Sequence, residues 1–325
     1  MPLEVDAPSE RYRRSDSIVV ALVNNMPDAA LSATEAQFAT LLSAAAGSHR
    51  VRLRLTHLPE VPRDVQTRAY LERRYWPIER ILDDAPDALI VTGSEPRASV
   101  LEDEPYWERL VQLINWAQAD IASSIWSCLA AHAAVQVLDG VRRRRLPEKR
   151  FGVFQHPCAR DMHLIHGIGG QVTTPHSRWN ELPEQSLRAA GYRILSASPE
   201  CGVDLFVREE RTLLVGFQGH PEYDETSLLK EYRRDVGRFL RRERNDWPHI
   251  PAGYFADDAI TMLEAFRRHA EPKRDPSLLN EFPVNKVAAG LSAPWRPAAL
   301  RIYRNWLTYV SEARRSAHPQ HRVEV

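Results

Sequence analysis

The sequence predicts an α/β fold: a mostly parallel open sheet with helices on both faces. Three observations carry this expectation. Short apolar runs alternate with helical patterns along most of the chain, one run is continuously apolar and closed by glycine, and another passes directly into a helix at a cysteine. Such alternation requires crossover connections, and these place helices over a parallel sheet.

The elements follow in order. Residues 18–23 form a β-branched run that Asn24, Asn25, Met26 and Pro27 stop, as expected of a buried strand. Ser32 stands three residues before Glu35, the spacing of a capping box, and Phe38, Leu41 and Leu42 recur at helical intervals, so a helix is expected over 34–45. Residues 51–55 alternate apolar with basic side chains, the pattern of a strand with one exposed face. Residues 88–93 read as a central parallel strand ending at Gly93. Trp107, Leu110, Val111 and Ile114 place one apolar stripe on a helix over 106–117. A strand over 121–126 runs through Ser127 and Cys128 into a helix over 129–138. Residues 213–217 form the last strong strand, and a helix is expected over 227–241.

Residues 1–17 are polar and charged and are expected to be a flexible N-terminal segment preceding a single α/β domain over 18–325. Residues 243–280 are charged, rich in proline and arginine, and carry one helical stretch over 257–269; they read as an insertion. A helix over 295–312, carrying Trp295, Leu300, Tyr303, Trp306, Leu307 and Val310, is expected to pack back on the core.

Composition narrows the function classes. The 43 basic and 43 acidic residues of this 325-residue chain balance, which argues against a nucleic-acid binder. Three cysteines make no disulfide framework and fit a reducing compartment. With no signal-peptide core and no run of roughly 18 apolar residues, no membrane association and a cytoplasmic location are expected. Neither the histidines nor the cysteines form a ligand cluster by spacing, so no metal is expected.

Two places carry candidate chemistry. Cys128 lies at a strand-to-helix turn, where a side chain projects above the sheet and the helix N-terminus favours a thiolate. Its bland alternative is a small buried hydrophobe. His220-Pro221-Glu222 follows the last strand; in an extended segment His220 and Glu222 share a side, so the carboxylate can orient the imidazole. The alternative is a surface pair. Both places fall at the carboxyl edge of the sheet, where open α/β sheets bind ligands.

The Cys128 elbow and Gly219-His220-Pro221-Glu222 resemble the class I glutamine-amidotransferase-like, flavodoxin-like fold, in which a Cys–His–Glu triad occupies these places. A narrower resemblance is to the homoserine O-succinyltransferase family. It rests on Asn24-Asn25-Met26-Pro27, Thr34-Glu35-Ala36-Gln37-Phe38, Val91-Thr92-Gly93, Tyr106-Trp107, Pro175-His176-Ser177-Arg178, Gly219-His220-Pro221-Glu222-Tyr223-Asp224, Glu231-Tyr232-Arg233-Arg234-Asp235 and Asn305-Trp306-Leu307, colinear over about residues 18–310.

The resemblance implies that Cys128 takes an acyl group from acyl-CoA as a thioester and passes it to the hydroxyl of homoserine, a step of methionine biosynthesis. His220 would act as base and Glu222 would orient it. Lys149, Ser177 and Arg234 are implied at the substrate site, and the N–H groups of Leu129 and Gly93 are the expected oxyanion hole. Acyl-CoA would be a co-substrate, with no permanently bound cofactor, and a homodimer is implied. Bland readings stand beside these: Lys149 in the basic run 142–150 as an exposed loop residue, Ser177 closing a turn, and Arg234 solvated off its helix stripe. The basic run could also attract CoA phosphates.

Three departures stand out, two that concern substrate choice, at Asp28-Ala29 and at Arg97, and one, at His132, that concerns hydrogen bonding around the thiolate. Asp28 and Ala29 stand where the family commonly carries two lysines, and His132 stands where glutamine is usual. Arg97 occupies the loop position associated with acyl selectivity, where it would attract a succinyl carboxylate, so succinyl is favoured over acetyl. The alternatives are another hydroxy amino acid or a carrier-bound donor with the same triad, and a non-catalytic binding relative. Glutamine amidotransfer has no trace of a partner synthetase or ammonia channel to support it.

Overall fold

The computed structural model describes residues 3–8, 16–159 and 162–317. Ten strands are present among them: β1 (Leu3–Val5), β2 (Ile18–Val23), β3 (Val51–Thr56), β4 (Ala88–Val91), β5 (Ser123–Ser127), β6 (Arg144–Pro157), β7 (Gln171–Glu181), β8 (Arg193–Ser198), β9 (Gly202–Glu209) and β10 (Leu213–Phe217). Eight of them form one sheet in the order β1-β3-β2-β4-β5-β10-β9-β8, while β6 and β7 form a separate hairpin. Pairing is parallel from β1 to β10 across the sheet; β9 and β8 add antiparallel at the other edge. The expected mostly parallel sheet is therefore present.

Ten helices connect and cover these strands: α1 (Asp28–Ala45), α2 (Val65–Arg74), α3 (Ile78–Asp83), α4 (Trp107–Asp120), α5 (Leu129–Asp139), α6 (Glu184–Ala189), α7 (Ser227–Leu240), α8 (Asp257–Ala270), α9 (Val284–Ala288) and α10 (Arg296–Ala317). Alternating residues of β2 face opposite layers, as a strand's period of two requires. Ile18, Val20 and Leu22 pack with Phe38 and Leu41 of α1 and Trp306 of α10, whereas Ala21 and Val23 pack with Leu110 of α4 and Ala134 of α5. Burial on both faces explains why β2 and β4 read as continuous apolar runs.

Several expectations need correction. Leu3–Val5 is not a loose leader: it pairs with β3, and Asp6 is buried against Arg52. Nor does β3 have an exposed basic face, because Arg54 is 1% exposed, pairs with Asp6 and Asp84 and lies over Trp76. The Ser32–Glu35 spacing is not a cap. Helix α1 begins at Asp28 behind Pro27, and Glu35 is an interior residue that accepts from Tyr70 Oη at 2.7 Å and pairs with Arg74. The basic run continues into β6, and Pro175-His176-Ser177-Arg178 belongs to β7 rather than to a loop.

Residues 243–280 pack with α7 in a third apolar cluster in which Trp247, Phe255, Phe266 and Leu278 meet Tyr232 and Phe239. The tail tryptophans are internal. Trp295 donates to the Tyr223 carbonyl at 2.9 Å and Trp306 to Ser123 Oγ at 2.8 Å, so neither is offered to a second subunit. No described helix is long and apolar enough to cross a membrane.

Candidate active site

Cys128 joins β5 to α5 with φ 53° and ψ −113°. A non-glycine residue in this half of conformational space carries strain of about 1–3 kcal/mol and persists only where its surroundings over-determine it. Here its N–H donates to the Phe217 carbonyl of β10 at 2.7 Å, and its carbonyl accepts from His132 N at 3.2 Å. The small, fully buried side chains of Ala130 and Ala131 let the following helix close on the sheet. The turn lifts the sulfur to the floor of a cleft of about 600 Å³ that Gly93, Leu129 and His220 also line. Burial pushes the other two thiols up, Cys158 to about 11 and Cys201 to about 12.

His220 is held by its own backbone, whose N–H donates to the Pro175 carbonyl of β7 at 2.8 Å. Its Nδ1 lies 2.8 Å from Glu222 Oε1, and its ring stacks on Tyr223 at 4.3 Å between centroids. With Nδ1 engaged by Glu222, Nε2 is the ring nitrogen left for Cys128. Burial opposes a charge on His220, but the Glu222 carboxylate and the Cys128 sulfur outweigh it and hold the imidazole pKa well above its ordinary value. Thiol, imidazole and carboxylate thus stand in sequence at the carboxyl edge of the parallel strands. Gly93 lies against the start of α5: a Cβ there would stand 3.2 Å from the Leu129 amide nitrogen.

Lys149, Ser177 and Arg234 come together on the cleft wall around two carboxylates that sequence reasoning did not single out. Lys149 Nζ is 3.0 Å from Asp235 Oδ2 and 3.6 Å from Glu231 Oε2, and Arg234 Nη2 is 3.2 Å from Asp235 Oδ1 and 3.5 Å from Glu231 Oε2. Ser177 Oγ and Tyr223 Oη both donate to Glu231. Burial opposes ionisation of Glu231 and Asp235, yet Lys149 and Arg234 keep both below the usual carboxylate range. The cluster therefore presents paired charges of both signs, with the Arg234 side chain still 45% exposed. The one available signal was the Glu231-to-Asp235 string on α7.

Arg97 does not line this cleft. Its N–H donates to Glu104 Oε1 at 2.7 Å, and it borders a neighbouring cavity of about 440 Å³ together with Asp28. Asp28 itself is occupied by Arg63 at 3.1 Å and by the Asp64 N–H at 2.9 Å. Arg143 lines the Cys128 cleft instead, and no carboxylate stands within ion-pair distance of it among the described residues. His132, one turn beyond Cys128, also lines the cleft; its Nε2 is 3.1 Å from Gln218 Oε1 and its Nδ1 has no partner. Burial brings its pKa down to about 3, so it is neutral in working conditions.

A buried network beneath the His220 loop was not visible by spacing. His156, His176 and Cys201 bring their ligand-capable atoms within 4.8 Å of one another. Arg178 Nε donates to His176 Nδ1 at 3.3 Å, which places the His176 proton on Nε2, between Asp204 Oδ1 and His156 Nε2, each at 3.3 Å. That proton occupies the lone pair a cation would need, so the cluster acts as a hydrogen-bonded support. Gly219 rests on it: a Cβ there would meet Thr174 Cγ2 at 2.5 Å, Asp204 Oδ1 at 2.7 Å and His176 Nε2 at 2.8 Å.

Comparison with known proteins identifies the family. A family model described as homoserine O-succinyltransferase matches residues 6–316. A protein of that name from Rhodopseudomonas palustris is 48% identical over 92% of this chain and 90% of its own length, and one from Methylorubrum extorquens is 46% identical over 90% and 87%. Among solved structures, a glutamine amidotransferase from Methylobacillus flagellatus superposes with a TM-score of 0.50 at 15% identity, covering 90% of this chain and 95% of its own, which supports the fold alone. Sharing this family's model and half its residues with a named member over nearly the full length, the chain belongs to the homoserine O-succinyltransferase family.

Proposed function

We propose that this protein transfers a succinyl group from succinyl-CoA to the hydroxyl of L-homoserine, through a thioester on Cys128. The observation that carries the reading is the strained Cys128 lining one cleft with an imidazole whose Nδ1 is held by Glu222. With its pKa raised, His220 holds a proton and favours the thiolate.

The thiolate attacks the acyl-CoA carbonyl, and the tetrahedral oxyanion is received by the N–H groups of Leu129 and Gly93, each donor contributing about 2.7–4 kcal/mol. Collapse breaks the bond to the CoA sulfur, which takes the proton from His220. Homoserine then loses its hydroxyl proton to His220 Nε2 and attacks the Cys128 thioester; the Cys128 sulfur leaves and the ester is formed. Glu222 keeps the ring in the productive tautomer throughout.

The paired cations and carboxylates around Glu231 and Asp235 suit an amino-acid zwitterion. Arg234 and Lys149 face its carboxylate, Glu231 its ammonium, and Ser177 fixes Glu231. Arg143, beside Cys128 without a carboxylate partner, suits an acyl group that ends in a negative charge, which supports succinyl over acetyl. Asp28, engaged with Arg63 at the adjoining cavity, gives no reason for another acceptor.

Initial rates at crossed concentrations of succinyl-CoA and homoserine test the reading. Parallel double-reciprocal lines with O-succinylhomoserine as product are expected; intersecting lines, or no product with either succinyl-CoA or acetyl-CoA, would overturn it.

A further inference from the structure

Among the described residues, the exposed large apolar side chains are three valines and Trp179, which is 38% exposed. Trp179 lies on β7 and lines the Cys128 cleft. The Arg145 guanidinium sits 4.8 Å from the centre of its ring. Arg145 faces Asn180 in the hairpin register, next to the irregularity between Arg145 and Arg150. Its neighbour Arg144 is committed to Glu181, but no carboxylate stands within ion-pair distance of Arg145 among the described residues. An exposed indole with a guanidinium beside it that has no carboxylate partner offers a stacking face and a positive charge to a flat, anionic ligand.

We infer that the Trp179–Arg145 rim of the β6–β7 hairpin binds the adenosine phosphate half of the acyl-CoA donor, the adenine stacking on the indole and a phosphate pairing with Arg145. The inference rests on the proposed use of an acyl-CoA. It explains how a long donor is oriented: its thioester reaches the cleft floor while its charged end stays at the mouth. Stacking of a base on an aromatic side chain is sequence-tolerant and strong enough to change affinity by about tenfold or more.

Two measurements on the full chain test this. In the first, adenosine 3′,5′-bisphosphate is titrated into the wild type, W179A, W179F and R145E by calorimetry. Binding by the wild type, weakened about tenfold in W179A and R145E and restored in W179F, supports the rim; absence of binding to the wild type, or equal binding by all four, overturns it. In the second, kcat/KM is compared for succinyl-CoA and for succinyl-pantetheine, which lacks the nucleotide. The wild type is expected to favour succinyl-CoA by about tenfold or more, a preference that collapses in W179A and R145E through KM. Equal use of both donors by the wild type overturns the rim and leaves the acyl-transfer reading intact. Nucleotide binding without turnover of either donor overturns that reading and leaves the rim intact.

Discussion

His132 offers a test in which structure, charge and pH meet. It is 2% exposed, lies one turn from Cys128 and has its pKa brought down to about 3, chiefly by burial. An unfolded histidine titrates near 6.5. Between these values the unfolded chain binds a proton that the folded chain refuses, so stability must fall as pH drops below about 6.5. At pH 5 the difference of about 1.5 pH units from the unfolded value corresponds to about 2 kcal/mol, and at pH 7.5 to less than about 0.1 kcal/mol. The variant H132Q retains a donor for Gln218 and removes the titration. The other depressed histidines, His57, His156 and His176, remain in both proteins and cancel in the difference. Urea unfolding of wild type and H132Q at pH 7.5 and pH 5 measures the effect. The expected result is that H132Q gains about 2 kcal/mol on the wild type between the two pH values; a gap independent of pH would show that His132 is not held neutral by burial.

Other perturbations follow from the same geometry. E222Q removes the charge that raises the His220 pKa, so acylation at neutral pH should slow by about 10²-fold. Because protonated His220 stabilises the fold below its unfolded pKa and that contribution is lost as pH rises through its raised folded value, the stability gap between wild type and E222Q should narrow as pH rises, which denaturation at several pH values would check. C128G relieves a φ of 53° that C128A retains. It should therefore be more stable than C128A by about 1 kcal/mol in urea unfolding, both being inactive. G219A drives a methyl group into Thr174, Asp204 and His176, and should cost about 1–3 kcal/mol and displace His220, read as a fall in kcat larger than the loss of folded protein explains.

The parts of the fold legible in the sequence are those buried on both faces. Strands β2, β4 and β10 announce themselves because every position is apolar or small, and the Cys128 turn because a strand meets a helix with nothing between them. The hairpin of β6 and β7 was hidden because its polar side chains line the cleft and look like loop residues; Lys149, Ser177 and Arg178 are engaged with Asp235, Glu231 and the Cys201 carbonyl rather than with solvent. Arg54 likewise read as an exposed strand residue because its burial depends on Asp6, distant in sequence. Triad geometry was recoverable from His220 and Glu222 being two apart in extended chain. By contrast, the His156–His176–Asp204 support joins three strands, and Arg97 was assigned to the acyl group by sequence position although its cavity is the neighbouring one.

The most direct test of the whole account is the mass of the protein after brief exposure to succinyl-CoA without homoserine. One succinyl group carried on the peptide containing Cys128, absent from C128A and discharged as O-succinylhomoserine when homoserine is added, is the result predicted. An unmodified Cys128 in an enzyme that nevertheless makes the ester would contradict it.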